Sequence, residues 1–219
     1  MDLSRYFTLA DISGIAPEIV LTIAALSVLT VEMMRVSRPG INLMVAAAGL
    51  LVAGVFAAQG FKEEILFGGM LRLNKISLFF DFLYLAVAFG TLILSQGYLE
   101  KKGGKPRGEY HALILFCVIG MMLMTEANDL VIVFLGLELL SLSLYILVGF
   151  LRHDVLSNES GLKYLFLGAF STGFFLFGAA LIYGAAGTTN YNEIASVVAS
   201  GEILSYLYLS LGIGLLLIG

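Results

Sequence analysis

The chain is predicted to fold as an all-α, polytopic transmembrane helix bundle, and three observations predict it. Its 219 residues are 59% hydrophobic and only 13% charged, with a mean hydropathy of +0.97. A soluble domain carries roughly 25% charge. Apolar runs long enough to span a bilayer also recur along the whole chain, which a soluble helical protein has no use for. Finally, one of these runs holds a carboxyl, Glu138, near its middle. Buried acids at that depth cost several kcal/mol and mark functional positions in membrane proteins.

Taken in order, the first apolar segment runs from about Pro17 to Met34, with Pro17 suited to a first helical turn. An acidic leader precedes it and no small-x-small cleavage site follows, so it reads as a retained helix. The second, about Ile41 to Ala58, is rich in Gly and Ala. Gln59–Lys75 mixes charge with short apolar alternation broken by Gly68-Gly69, which predicts a small extramembrane hairpin. The third segment spans about Ser77 to Gln96. Glu100–Glu109 is a polar loop carrying Gly103-Gly104 and Pro106.

The fourth segment spans about Tyr110 to Met124, and an acidic turn over Thr125–Asp129 leads into the fifth, about Leu130 to Phe150. Arg152–Ser160 is a second polar loop, and the sixth segment covers about Gly161 to Tyr183. Gly184–Glu202 reads as a loop with no basic residue. The seventh segment begins near Ile203 and is still apolar at Gly219, so the chain is expected to be part of a longer protein.

The positive-inside rule predicts orientation. Arg35, Arg38, Lys101, Lys102, Lys105, Arg107 and Arg152 fall on one side, against Arg5, Lys62, Arg72 and Lys75 on the other. That puts the Glu100–Glu109 loop in the cytoplasm and the N-terminus outside.

Several function classes have no support. The net charge is -4, and no basic cluster is interleaved with aromatics, so nucleic-acid binding is not indicated. The single cysteine, Cys117, has no metal-ligand neighbours in sequence, and His111 and His153 lie far apart. No nucleotide, zinc, haem or iron–sulfur motif occurs.

Two residues stand out as candidates for chemistry. Glu138 lies nine residues after Asp129, roughly 14 Å into the membrane. On a helical wheel it shares a stripe with Phe134, Ser141, Tyr145 and Gly149, while Gly136 and Ser143 form a small-residue seam opposite. The arrangement predicts a bundle-interior helix whose acid exchanges protons, the alternative being a neutral acid that glues helices together. Lys163 is placed one to two turns into the sixth helix, with Ser157 or Asn158 as N-cap. It reads either as a titratable relay lysine or as a side chain snorkelling to the cytoplasmic headgroups. Asp81 is expected to reach out to the interface, and Glu32, Glu126 and Asp129 to be solvated or capping at membrane edges. His111 is expected to be interfacial and His153 solvated. Met121, Met122 and Met124 read as bundle filler.

The stretch Glu109-Tyr110-His111-Ala112-Leu113, then Gly120-Met121-Met122-Leu123-Met124, Ala127-Asn128-Asp129-Leu130 and Phe134 through Tyr145, resembles subunit N of bacterial NADH–quinone oxidoreductase (respiratory complex I). Ser157-Asn158-Glu159-Ser160-Gly161-Leu162-Lys163-Tyr164 and Leu167-Gly168-Ala169-Phe170-Ser171 are similar to the same subunit, whose mitochondrial counterpart is NADH dehydrogenase subunit 2. The resemblance is dense from Glu109 to about Gly187 and looser before Lys102.

It implies an antiporter-like membrane subunit of about fourteen helices in two inverted repeats, of which this chain holds about seven. Residues 1–100 would be an N-terminal three-helix segment with its hairpin, and 101–219 the start of the first antiporter-like repeat. The family pumps protons, driven by redox chemistry in other subunits. The whole complex uses FMN, iron–sulfur clusters, NADH and quinone, and none of these is expected on this chain. Partners would be the other membrane subunits and the lipid bilayer of a bacterial inner membrane. The family's mid-membrane glutamate corresponds to Glu138, and a lysine of its next helix to Lys163, which favours the relay reading. The family's further lysine, the expected partner of the glutamate, would lie beyond Gly219, so this chain alone is not expected to pump. A subunit of a multi-subunit cation/proton antiporter is the alternative.

Overall fold

The computed structural model describes residues 9–34, 40–101 and 108–219. Arg5, Arg35, Arg38, Lys102, Lys105 and Arg107, which the orientation count used, and the acidic leader and the Gly103–Pro106 turn lie outside the described residues. Among those described, helices dominate: α1 (Leu9–Gly14), α2 (Ala16–Met33), α3 (Ile41–Gly60), α4 (Lys75–Lys101), α5 (Gly108–Glu126), α6 (Leu130–Val148), α7 (Val155–Ala186), α8 (Tyr191–Ser200) and α9 (Tyr206–Ile218). The helices α2 to α7 are each long and apolar enough to cross a membrane. At 13 residues α9 is roughly 20 Å long, short of a ~30 Å hydrocarbon core. The seven apolar segments expected are thus six helices of spanning length and, for the seventh, the shorter apolar helix α9.

Pro17 sits in the first turn of α2, as its fixed φ and missing N–H favour. The hairpin between α3 and α4 is real but minimal. Strands β1 (Ile65–Leu66) and β2 (Leu71–Arg72) pair antiparallel, Ile65 opposite Arg72 and Leu66 opposite Leu71. A single 3-10 turn joins them, and it needs Gly68 and Gly69 because both have positive φ (64° and 102°).

α5 is the hub. More than half of its spanning window is buried, against a third or less for every other span. It packs on α2, α3 and α4 on one side and on α6 on the other. The main core lies among these first helices: Leu21, Ala25 and Val28 of α2, Ala46 and Leu50 of α3, Leu85 and Leu92 of α4, Leu115, Val118 and Met122 of α5. The α5–α6 contact is a glycine crossing. A Cβ on Gly120 would fall 2.6 Å from the Gly136 carbonyl oxygen, and one on Gly136 would fall 2.8 Å from that of Gly120. Backbones approach this closely only where side chains are absent.

Two elements differ from expectation. Residues read as the loop Gly184–Glu202 contain α8, capped by the Asn190 side chain, which accepts from the N–H groups of Asn192 and Glu193. Four of its ten residues are polar, so no long apolar run announced it. α7 starts earlier than expected, at Val155, because Asp154 and not Ser157 or Asn158 is its N-cap, accepting from the Leu156 N–H at 3.0 Å. Ser157 and Asn158 instead donate back to the carbonyls of Val148 (2.7 Å) and Arg152 (2.9 Å), fastening the turn to the end of α6.

Candidate functional site

α6 is anchored at the end of the molecule that carries the hairpin. Asp129 caps it, accepting from the Val131 N–H at 2.8 Å, and its second oxygen accepts from the Thr189 hydroxyl at 2.8 Å. Around this cap the backbone is knotted together by amides. The Asn128 N–H donates to Met70 O, and Asn128 O accepts from the Tyr191 N–H. The side-chain amides of Asn128 and Asn190 both donate to Gly69 O at 2.8 Å. The hairpin, the start of α6 and the start of α8 therefore form one latch, and Asp129 is the capping residue it was expected to be. The Tyr191 phenol in this latch is pushed above its ordinary range by burial and by the Asp129 carboxylate.

From that anchor the helix carries Glu138 to its midpoint, the ninth of 19 residues. The two faces read from the sequence are the two faces observed. Gly136 and buried Ser143 turn towards α5, while Phe134, Tyr145 and Gly149 turn towards α7. Phe134 stacks on Phe175 with centroids 6.3 Å apart, and Tyr145 meets Tyr164 edge-on at 4.9 Å. The Tyr145 hydroxyl occupies the space where a Cβ on Gly168 would stand. Glu138 lies on this α7-facing stripe, half-buried, and makes no hydrogen bond or ion pair among the described residues.

These contacts fix the register of the antiparallel α6–α7 pair, and the register separates the two candidate residues. Glu138 stands level with residues 171–175 of α7, whereas Lys163 stands level with residues 146–150 of α6. The offset is about eight to twelve residues, at least roughly 12 Å along the helix axis. The structure does not bring Glu138 and Lys163 together. Tyr145 lies between their levels. Lys163 is exposed and pairs with Glu159, one turn towards the start of α7, at 2.5 Å. A groove of about 480 Å³ opens on this stretch of the seam, lined by Leu142, Tyr145, Ile146, Asn158, Leu162 and Leu165.

Other expectations require correction. Asp81 does not reach out to the interface but is buried, and Glu126 is buried too and not solvated at the membrane edge. Both were read from distance to the end of an apolar run, which ignores that three helix ends converge here. Glu32 takes the capping alternative: half-buried, its carboxylate accepts from the Asn42 side-chain amide at 2.5 Å and from the Gly108 N–H at 3.1 Å, tying α3 and the start of α5 to α2. His111 is buried, not interfacial, with no partner for either ring nitrogen. His153 is exposed, as expected. Glu18 was missed. The signal was available: with helices alternating in direction, the start of α2, the start of α4 and the end of α5 must meet at one face. Among the described residues, no three His, Cys, Asp or Glu side chains are placed to hold a metal ion.

Known proteins resemble this chain in both sequence and fold. Residues 127–219 match the family described as NADH:quinone oxidoreductase/Mrp antiporter, transmembrane. The whole chain is 38% identical over 221 residues to NADH-quinone oxidoreductase subunit N of Trichlorobacter lovleyi, of which it covers 45%. It is 48% identical over 133 residues to subunit N 1 of Koribacter versatilis, covering 61% of this chain and 26% of that protein. The chain thus spans less than half the length of these curated relatives. Among solved structures, respiratory complex I from Thermus thermophilus with bound aureothin contains a chain that superimposes with a TM-score of 0.70 at 26% identity. That match covers 93% of this chain and 42% of the other. A chain of an archaeal membrane-bound sulfane sulfur reductase shares the fold, with a TM-score of 0.77 at 21% identity, over 95% of this chain and 44% of its own length.

Proposed function

We propose, on the premise that this chain is a homologue of NADH-quinone oxidoreductase subunit N along its whole length, that it forms the N-terminal half of a proton-translocating membrane subunit of that enzyme. Electron transfer from NADH to quinone takes place on other subunits, and this chain supplies protonatable groups in the membrane. Its partners are the neighbouring membrane subunits. Its site is the inner membrane of a bacterium, with the hairpin and α8 outside and the α6–α7 turn in the cytoplasm. Residues 1–100 serve as the N-terminal three-helix unit, and 101–219 begin the antiporter-like repeat.

One observation carries this reading: a carboxyl at the midpoint of a spanning helix, on the stripe that faces α7, with no partner among the described residues. A carboxyl with no partner at the middle of a spanning helix is costly, so a functional reason for Glu138 is the default. A cation moving along the seam changes the electrostatic field at Glu138. Lys163 is the cation this chain contributes. Its charge is held by Glu159 in the observed arrangement, and the groups available between Lys163 and Glu138 are those of the stripe, Tyr145 and Ser141. Proton transfer between the two levels needs such intermediates or water, because roughly 12 Å is beyond direct contact.

The test is Glu138→Gln in the full-length subunit of the assembled complex, measuring NADH oxidation and proton uptake into membrane vesicles together. Pumping per NADH is expected to fall several-fold with assembly intact. Unchanged pumping would remove Glu138 from the proton path. The family description also admits a multi-subunit cation/proton antiporter. Neighbouring genes for flavin and iron–sulfur subunits favour the first reading, and their absence beside antiporter genes favours the second.

A further inference from the structure

A second group of acids lies away from the α6–α7 seam, among helices that precede the matched family region. Glu18 stands in the first turn of α2, Asp81 about two turns into α4, and Glu126 closes α5. All three are at the hairpin end of the bundle. Their exposures are 5%, 4% and 2%, so each is more than nine-tenths buried. Glu18 and Glu126 lie side by side, and Asp81 is within electrostatic reach of both. Neither oxygen of Glu18 has a hydrogen-bond partner, and Oδ1 of Asp81 and Oε2 of Glu126 have none either. The neighbouring Tyr84 hydroxyl does not serve them, being engaged with Thr125 at 3.0 Å, a contact that pins α4 to α5 beside the cluster.

No cation compensates the three acids among the described residues. α3 has no ionisable side chain from Ile41 to Gly60. Lys62 and Arg72 of the hairpin segment and Lys75 at the start of α4 are exposed, and Lys75 pairs with Glu63 at 4.0 Å. Asp11 of α1 accepts from the Phe67 N–H at 2.7 Å and adds a further negative charge near this end. On α2, Glu32 lies at the opposite end, as do Tyr98, Glu100 and Lys101 on α4 and Glu109, Tyr110 and His111 on α5, with Cys117 midway along α5. α6 contributes mid-helix Glu138 and, towards its far end, Tyr145, while its cap Asp129 is at the hairpin end and is engaged by the Val131 N–H and the Thr189 hydroxyl.

An ionised carboxylate is acceptor-only, so three of them packed together cannot satisfy one another; a protonated carboxyl gains a donor. One proton on Glu18 lets its O–H donate to Glu126, and two orphaned groups become a hydrogen-bonded pair. We propose that Glu18, Glu126 and Asp81 form a proton-binding site, in which the buried carboxyls hold and share protons at the hairpin end of the bundle. The ligand is the proton itself. The site is independent of Glu138, and its place at the hairpin end puts it within a helical turn or two of bulk water.

The experiment is infrared spectroscopy of the assembled complex in lipid at neutral pH, comparing the native protein with Glu18→Gln, Glu126→Gln and Asp81→Asn of the full-length chain. Native minus Glu18→Gln is expected to contain the C=O stretch of a protonated, hydrogen-bonded carboxyl that shifts down in D2O. Native minus Glu126→Gln is expected to contain a band of the same pair. Asp81→Asn, at the edge of the pair, is expected to shift that band without removing it, which keeps the test available where a glutamine variant assembles poorly. If the variants remove only carboxylate bands, the acids are ionised against a cation from elsewhere and the proposal fails. A band that changes with sodium at constant pH would make this a metal-cation site and also overturn it. Neither failure bears on Glu138, whose readout is pumping.

Discussion

Glu138 and Lys163 differ in what holds them, and their variants should differ accordingly. Glu138 sits at the centre of α6 with packed neighbours on both sides of its stripe, Phe134 on Phe175 and Tyr145 on Tyr164. Glutamine preserves its volume, so Glu138→Gln is expected to alter proton transfer and leave assembly alone. Lys163 is tied to Glu159 only through an exposed i,i+4 pair, the kind that contributes little to stability. Lys163→Met is therefore expected to leave complex yield unchanged while lowering pumping per NADH. Glu159→Gln, which frees the lysine, should move pumping without matching that loss. Equal pumping in both variants and the native complex would reduce Lys163 to a snorkelling side chain. Tyr145 is the residue between the two levels. Tyr145→Phe removes the hydroxyl, keeps the ring contact with Tyr164, and is expected to slow proton transfer more than it destabilises the seam.

The elements are held by two devices of different kind. Between α5 and α6 it is proximity: with a Cβ on Gly120 only 2.6 Å from a carbonyl oxygen, any side chain there forces the helices apart. Gly120→Val is expected to cost at least ~1–3 kcal/mol, the usual range for overpacking, and to lower the thermal midpoint of the subunit in detergent. Gly173, which meets nothing within 4 Å on α7, is the control, and Gly173→Val should have little effect. At the hairpin end it is hydrogen bonding. Asn128 and Asn190 both donate to Gly69 O, so Asn128→Ala and Asn190→Ala should each cost about 1 kcal/mol. Because either amide alone still satisfies Gly69 O, the double variant, which orphans that acceptor, should cost more than the sum, as a double-mutant cycle would measure. α8 is attached through this latch, and hydrogen exchange of its amides should rise in both variants.

For the whole molecule, the disposition of helices turns the positive-inside count into a labelling experiment. The protein has a single cysteine, Cys117, and it is buried. A cysteine placed at exposed His153, in the α6–α7 turn, should react with a membrane-impermeant thiol reagent only from the cytoplasmic face. One at exposed Asn192, on α8, should react only from the other face. The opposite pattern would invert the orientation. Much of the architecture was legible in residue order. Six apolar runs became six spanning helices because a bilayer demands that backbone polar groups be satisfied within each segment, so length and hydropathy alone specify them. The Gly68-Gly69 turn, the Asp129 cap and the two faces of α6 were legible for the same reason: turn chemistry, capping and helical periodicity are local. What the sequence determined by itself was therefore the fold class, the spans and the depth of Glu138. The tertiary structure decided which groups meet. It set Lys163 at least roughly 12 Å along the seam from Glu138, because the α6–α7 register depends on how Tyr145 fits against Gly168 and Gly149 against Gly161. It also drew Glu18, Asp81 and Glu126 from three separate runs into one buried cluster. Distance along a chain gives depth in the membrane, whereas contact between helices depends on packing faces and relative height, which no single run encodes.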